Sequence, residues 1–161
     1  MKCFFWFLLF LLPASLFARL GEREAELTAR FGPPLSRAKE TTAQHGRVVE
    51  FGVRLNYRQG DWFITCVIVD GRSAREFYNK GDEWTEDQFT TVLAANSQGA
   101  RWTDISKPST LKLAREWRRA DGATASWQKI QGMDVIQPAY VRARNLAEAK
   151  AKAEASRIPK I

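Results

Sequence analysis

The side chains here that could do chemistry are imidazole, thiol and clustered guanidinium groups, and the first two are scarce. There is one histidine, His45, and beyond the apolar first residues a single cysteine, Cys66. A structural zinc needs several imidazole or thiolate ligands at fixed spacing, so that class of site is excluded. A hydrolase triad needs a nucleophile, a base and an orienting acid brought together. His45 is the sole imidazole base, and it falls in the polar stretch Thr41-Thr42-Ala43-Gln44-His45-Gly46, where a solvated ring is the expectation. Cys66 lies within Phe63-Ile64-Thr65-Cys66-Val67-Ile68-Val69 and reads as a small buried hydrophobe. No nucleophile elbow, phosphate-cradling loop or dinucleotide fingerprint occurs, so no cofactor is expected. Asp82-Glu83 and Glu86-Asp87 lack the alternate-position spacing of a calcium loop.

What remains is positive charge. In Arg115-Glu116-Trp117-Arg118-Arg119 guanidinium groups flank an indole, a combination that can hold an anionic or sugar ligand. Strand alternation would turn Trp117 inward and Arg118 outward. A second basic group, Arg142, Arg144, Lys150 and Lys152, falls near the C-terminus. These seven residues are the candidate contacts for an anion or a partner. The formal net charge of +7 is unevenly spread, because residues 19–141 hold 18 basic and 16 acidic side chains, a net of only +2. So balanced a body argues against a nucleic-acid groove.

The first 18 residues set the context for these groups. Met1 and Lys2 make a short positive start, Cys3 to Leu12 is an unbroken apolar run, and Pro13, Ala14 and Ser15 break it. This is the order of regions in a secretory signal, with cleavage expected after Ala18. The apolar stretch is shorter than the roughly 20 residues that a spanning helix needs, so no membrane span is expected once the signal is removed. Cys3 is not placed for lipid attachment, which needs the cysteine directly after the apolar run. Export to the periplasm or beyond follows as the expectation, and Cys66 then has no partner for an intramolecular disulfide.

The elements that must position these residues read as α+β, in one domain over 19–141. A helix is predicted from Leu20 to Phe31, stopped by Gly32-Pro33-Pro34. Residues 36–46 are polar and non-periodic and read as a loop. Val49, Phe51, Val53, Leu55 and Tyr57 alternate with polar residues as in a strand with one wet face. Trp62 to Val69 is apolar almost throughout, as in a strand covered on both sides. After Asp70-Gly71, Arg72 to Asn79 reads as a more polar edge strand. Thr85 and Gln88 form a capping box for a second helix that turns Phe89, Val92 and Leu93 inward. Residues 97–109 read as irregular, with Trp102 and Ile105 docking on the body. Strands follow at 113–119, 124–130 and 133–137. The expectation is therefore antiparallel sheet of about six strands, in one sheet or two, with two packed helices. The order helix, three strands, helix, about three strands suggests a duplicated unit over 20–80 and 85–137. A basic, alanine-rich helical tail, 142–161, is expected to be anchored by Tyr140, Val141 and Leu146 and otherwise to protrude into water.

At Leu27-Thr28-Ala29-Arg30-Phe31-Gly32-Pro33-Pro34, followed by a three-stranded meander, the chain resembles the small envelope modules of the outer-membrane assembly lipoprotein and β-lactamase-inhibitor-like group. The resemblance covers about residues 20–80. It implies a short helix broken before an antiparallel sheet, and action by protein binding. Two features depart from that pattern: no cysteine follows the signal, and no second helix is evident between Phe31 and the first strand. The expected function is that of an exported, non-enzymatic interaction module whose partner is a protein or another envelope component. One alternative is a protein held to anionic polymers or lipid headgroups by its basic tail. Another is a small hydrolase whose reactive groups come from scattered positions and form no visible motif, with Cys66 or His45 the first candidates among them.

Overall fold

The computed structural model describes residues 19–44, 46–81, 83–108 and 113–156. The first half runs α1 (Glu24–Phe31), β1 (Ser36–Gln44), β2 (Arg47–Gln59), β3 (Trp62–Val69) and β4 (Arg72–Asn79). The second runs α2 (Glu86–Ala95), β5 (Trp102–Asp104), β6 (Ala114–Arg119), β7 (Thr124–Gln128) and β8 (Gly132–Ile136), and α3 (Pro138–Ser156) closes the chain. All eight strands form one antiparallel sheet in the order β1-β2-β3-β4-β8-β7-β6-β5. Each half is thus a helix followed by a four-stranded meander, and the last strands of the two meanders pair at the centre.

Among the described residues the expectation of about six strands is corrected to eight. Ser36–Gln44, read as a loop, is edge strand β1, paired with β2 from Ser36↔Asn56 to Gln44↔Arg47. Only Glu40 of its nine residues is buried, so the strand carries no apolar alternation, and its pairing comes from β2. Trp102–Asp104, read as irregular, pairs with β6 as the opposite edge. Arg72–Asn79 is not an edge, because β4 pairs with β3 on one side and β8 on the other. Its polar residues are accommodated internally: Arg75 grips Asp134 of β8 through Nη2 at 2.8 Å, and Glu76 bonds within its own strand.

The core has two layers. On one face α1 and α2 cover Leu55, Tyr57, Ile64, Cys66, Tyr78, Met133 and Val135, with Leu27, Phe89 and Val92 from the helices. On the other, Val67, Val69 and Ala74 lie with Tyr140 of α3. β3 is covered on both sides, as its apolar run requires. The capping box closes as expected, with Thr85 N–H donating to Gln88 Oε1 at 3.0 Å and Gln88 N–H to Thr85 Oγ1 at 3.3 Å. Trp102 docks through Nε1–H to the Leu93 carbonyl at 2.8 Å, whereas Ile105, expected to dock, is exposed. α1 begins at Glu24 rather than Leu20, and Leu20 is buried from an irregular lead-in.

The C-terminal helix differs most from expectation. It does not protrude, because Ala147 and Ala151 are buried along with Tyr140, and α3 lies across β1 and β2. Small side chains let a helix approach a sheet closely, so alanine here is a contact surface rather than a spacer. Leu146, expected to anchor the helix, is 74 % exposed, and Val141 is also exposed. Ala151→Glu is expected to lift the end of α3 from the sheet and to cost about 2–4 kcal/mol, since a carboxylate would be buried without a partner. Ala149→Glu, at an exposed position, is the neutral control in the same urea titration. Equal midpoints for the two variants would contradict the packing. No helix among the described residues is long and apolar enough to cross a membrane.

Candidate functional site

The seven basic residues singled out from sequence fall in three environments. Arg115 lies against the first core layer, its guanidinium carbon 5.0 Å from the Phe89 ring centre and 4.8 Å from that of Trp117. Both carboxylate oxygens of Glu86 accept from Arg115 Nη1 at 2.8 Å, and Asp104 accepts from Nη2 at 3.2 Å. Trp117 is inward and Arg118 exposed, as alternation requires. Arg119 is not a surface contact: it is 1 % exposed, and its donors reach Asp121, Gln98 Oε1 and the Asn96 carbonyl. A guanidinium on the last carbonyls of α2 complements the negative end of that helix. Arg119 is therefore removed from the set of partner contacts.

The other four lie on α3. Arg144 bonds Glu148 at 3.5 Å and lies over the Tyr140 ring, and Lys152 is exposed. Arg142 and Lys150 share a face with Leu146, because the three recur at four-residue intervals. This face borders a groove of about 370 Å³ between α3 and the β2–β3 region. Phe51, Val69 and Ala143 line it, with Glu50 and Asp70 at the far side. Val48, 70 % exposed, precedes Val49 on β2 and by strand alternation points to the other face of the sheet, away from the groove. Among the described residues neither Arg142 nor Lys150 forms an ion pair. Ile130 is exposed more fully, at 94 %, but stands at the β7–β8 turn and does not line this groove.

A buried polar network lies on the opposite face of the sheet. Glu76 is fully buried, and its two oxygens accept from Ser73 Oγ at 2.7 Å and from the Tyr78 hydroxyl at 2.5 Å. Asn96, at the end of α2, donates through Nδ2 to the Tyr78 hydroxyl at 3.1 Å and accepts the Leu20 N–H at 2.8 Å. No cation pairs with Glu76 among the described residues. Desolvation pushes its carboxyl up to about 7, against the lowering effect of the Tyr78 and Ser73 hydroxyls, and the negative charge of Glu22 adds to the rise. Beside the network a cleft of about 790 Å³ opens between residues 19–22, the end of α2 and Arg72. Sequence reading missed this network, although one signal was present: Glu76 and Tyr78, two apart on a strand, share a face.

Of the two reactive side chains read from the sequence, the structure describes one. Cys66 is buried, and burial pushes its thiol well above the ordinary range, with the charges of Glu76 and Glu22 adding to the effect. His45 lies outside the described residues. Among the described residues no group of three or more His, Cys, Asp or Glu could hold a metal ion. No family model matches the chain, and neither a curated protein nor a solved structure is significantly similar to it.

Proposed function

We propose that the chain is an exported, non-enzymatic interaction module that takes a partner's peptide segment in the groove between α3 and β2. The observation that carries this reading is Leu146, 74 % exposed in the middle of a helix and flanked by Arg142 and Lys150 above an apolar floor. An apolar patch bordered by charge is the usual form of a protein-binding surface. Two unpaired cations around an apolar centre suit a segment with one apolar anchor and acidic neighbours. Export, proposed from residues 1–18, makes that partner an envelope or extracellular protein. The likeness of residues 20–80 to envelope modules that act by protein binding points the same way.

Burying Leu146 in a partner is worth roughly 1.5–3 kcal/mol, which is about tenfold to a hundredfold in affinity. Leu146→Asp, alone and with Ala143→Asp in the floor of the groove, is therefore expected to abolish capture of an acidic-apolar peptide from a display library. Capture by the variants equal to wild type would remove the groove from consideration. The exposed Arg142, Lys150 and Lys152 also support a second reading, attachment to anionic envelope polymers or headgroups by charge. The two separate by salt: attachment by charge fades steeply as ionic strength rises, whereas binding anchored by Leu146 persists.

A further inference from the structure

Residues 19–22 enter α1 as an irregular lead-in, yet their backbone is heavily bonded. Leu20 is 2 % exposed within the first core layer, its N–H donating to Asn96 Oδ1 at 2.8 Å and its carbonyl accepting from Gln98 Nε2 at 2.5 Å. Gly21 N–H donates to the Ser73 carbonyl, and Ser73 N–H to the Glu22 carbonyl, both at 2.7 Å. Gly21 holds φ +86°, a left-handed conformation that favours glycine, and a Cβ there would also displace the amide end of Gln98, 2.7 Å away. Arg19 precedes this anchored stretch at the lip of the cleft, its N–H directed at Glu22 Oε2 at 3.4 Å. The bond after Ala18 is therefore one residue away from a buried, doubly bonded position.

We propose that cleavage after Ala18 precedes docking of residues 19–22, and that the α-ammonium released on Arg19 then pairs with the Glu22 carboxylate at the lip of the cleft. This rests on residues 1–18 being an export signal. The step is hydrolysis by a signal peptidase: the Ala18–Arg19 amide breaks, water supplies hydroxyl to the Ala18 carboxyl and hydrogen to the new amine, and the amine takes up a proton. A peptidase must hold several residues on both sides of the scissile bond in extended form, free of other bonds. Docked Leu20 does not permit this, so the order is cut first, dock second. Once docked, a neutral N–H···O contact becomes a charge-assisted one. The charged groups that face the new amine are Glu22, Glu26 and Arg30 from α1 and its lead-in and Arg72 from β4, while the end of α2 offers the neutral amides of Asn96 and Gln98. Glu22 is shared with Arg30, so the added pairing is small in energy and is read most directly as a raised pKa of the amine.

Full-length chain is produced in a bacterial host with an active export pathway, and the exported protein is weighed intact. The expected mass begins at Arg19. Any other start overturns this proposal and leaves export standing, whereas exported material that keeps residues 1–18 overturns both. Precursor retained in the cytoplasm and purified folded is then given to signal peptidase. Gln98→Ala, which frees the Leu20 carbonyl without opening the core, and Leu20→Asp are expected to be cut at least tenfold faster than wild type, and equal rates overturn the order. On the exported protein, NMR of the isotopically methylated α-amine is expected to place its pKa above the ordinary 7.7–8.0. Glu22→Gln is expected to return it to that range and Glu26→Gln to leave it raised. An ordinary value in the wild type overturns the pairing.

Discussion

Glu76→Gln is expected to remove a fall in stability that the wild type shows between about pH 4.5 and 7. The carboxyl of Glu76 is buried among neutral hydroxyls, and loss of hydration raises its pKa to about 7. In the unfolded chain the same group ionises near its ordinary value of 4.5. Through this interval the unfolded state has released the proton and the native state still holds it, so each step upward in pH favours unfolding. The contribution is complete below about pH 4.5, is lost as pH rises through 7, and is constant above. A separation of about 2.5 pKa units corresponds to about 3 kcal/mol. Glutamine keeps an acceptor for Ser73 and offers the Tyr78 hydroxyl a donor, so the network stays bonded without a charge to bury. Urea titrations of both proteins from pH 4 to 8 measure the effect directly. The variant should be the more stable by about 2–3 kcal/mol at pH 8, with the two converging near pH 4. Asp104 and Asp121, whose carboxyls Ser106 and Arg119 respectively hold below the usual range, act with the opposite sign. Their contribution is lost as pH falls through their lowered pKa values, and it cancels in the comparison of variant with wild type. Parallel wild-type and variant profiles would mean that Glu76 is not held as a neutral acid.

Gly132→Ala is expected to be the most damaging small substitution, because Gly132 lies where the two halves of the sheet join. It opens β8 at φ +105°, and a Cβ there would lie 2.2 Å from the carbonyl oxygen of Tyr78 on the central strand β4. Backbone cannot yield as the end of a flexible side chain can. Alanine therefore incurs both left-handed strain and the displacement of a paired strand, about 3–5 kcal/mol together. For a chain of this length that is a drop of roughly 10–20 °C in Tm. Gly60→Asn is the matched control: it also has positive φ, +57°, but open space where a Cβ would go, and asparagine tolerates that region. A small loss for Gly60→Asn beside a large one for Gly132→Ala would show that the seam between β4 and β8 holds one cooperative sheet. Two separate unfolding transitions in the wild type would show instead that the halves are independent.

Several elements could be read without coordinates because their signals are local. The alternation of Val49 to Tyr57, the apolar run of Trp62 to Val69, the Asp70-Gly71 turn and the Thr85/Gln88 box each specify geometry among near neighbours in the chain. The folded chain has strands, a turn or a capped helix at these places, though β2 turns Phe51 into the second core layer and Val53, Leu55 and Tyr57 into the first. Trp117 inward and Arg118 outward follow from the same period of two. Elements whose character depends on distant partners were misread. β1 is polar on nearly every position and exists because β2 supplies its backbone bonds. β4 looks like an edge because its sequence contains Arg72, Arg75 and Glu76, which find Gly21, Asp134 and Tyr78 only after folding.

The candidate site divides along the same line. Arg142, Leu146 and Lys150 are a helical stripe visible from their spacing, but whether that stripe faces core or solvent depended on which side of α3 met the sheet. Alanine at 147 and 151 allowed the closer approach, so the small residues were buried and the leucine was left outside. The amino acids by themselves determined the α+β class and most strand and helix positions, since these rest on composition and on contacts a few residues apart. Only tertiary structure decided that the two meanders make one sheet, that α3 is a layer and not a tail, that Arg119 is internal, and that Glu76 is a buried acid. Each of these is set by pairing between segments tens of residues apart, for which burial, hydration and register are properties of the assembled chain.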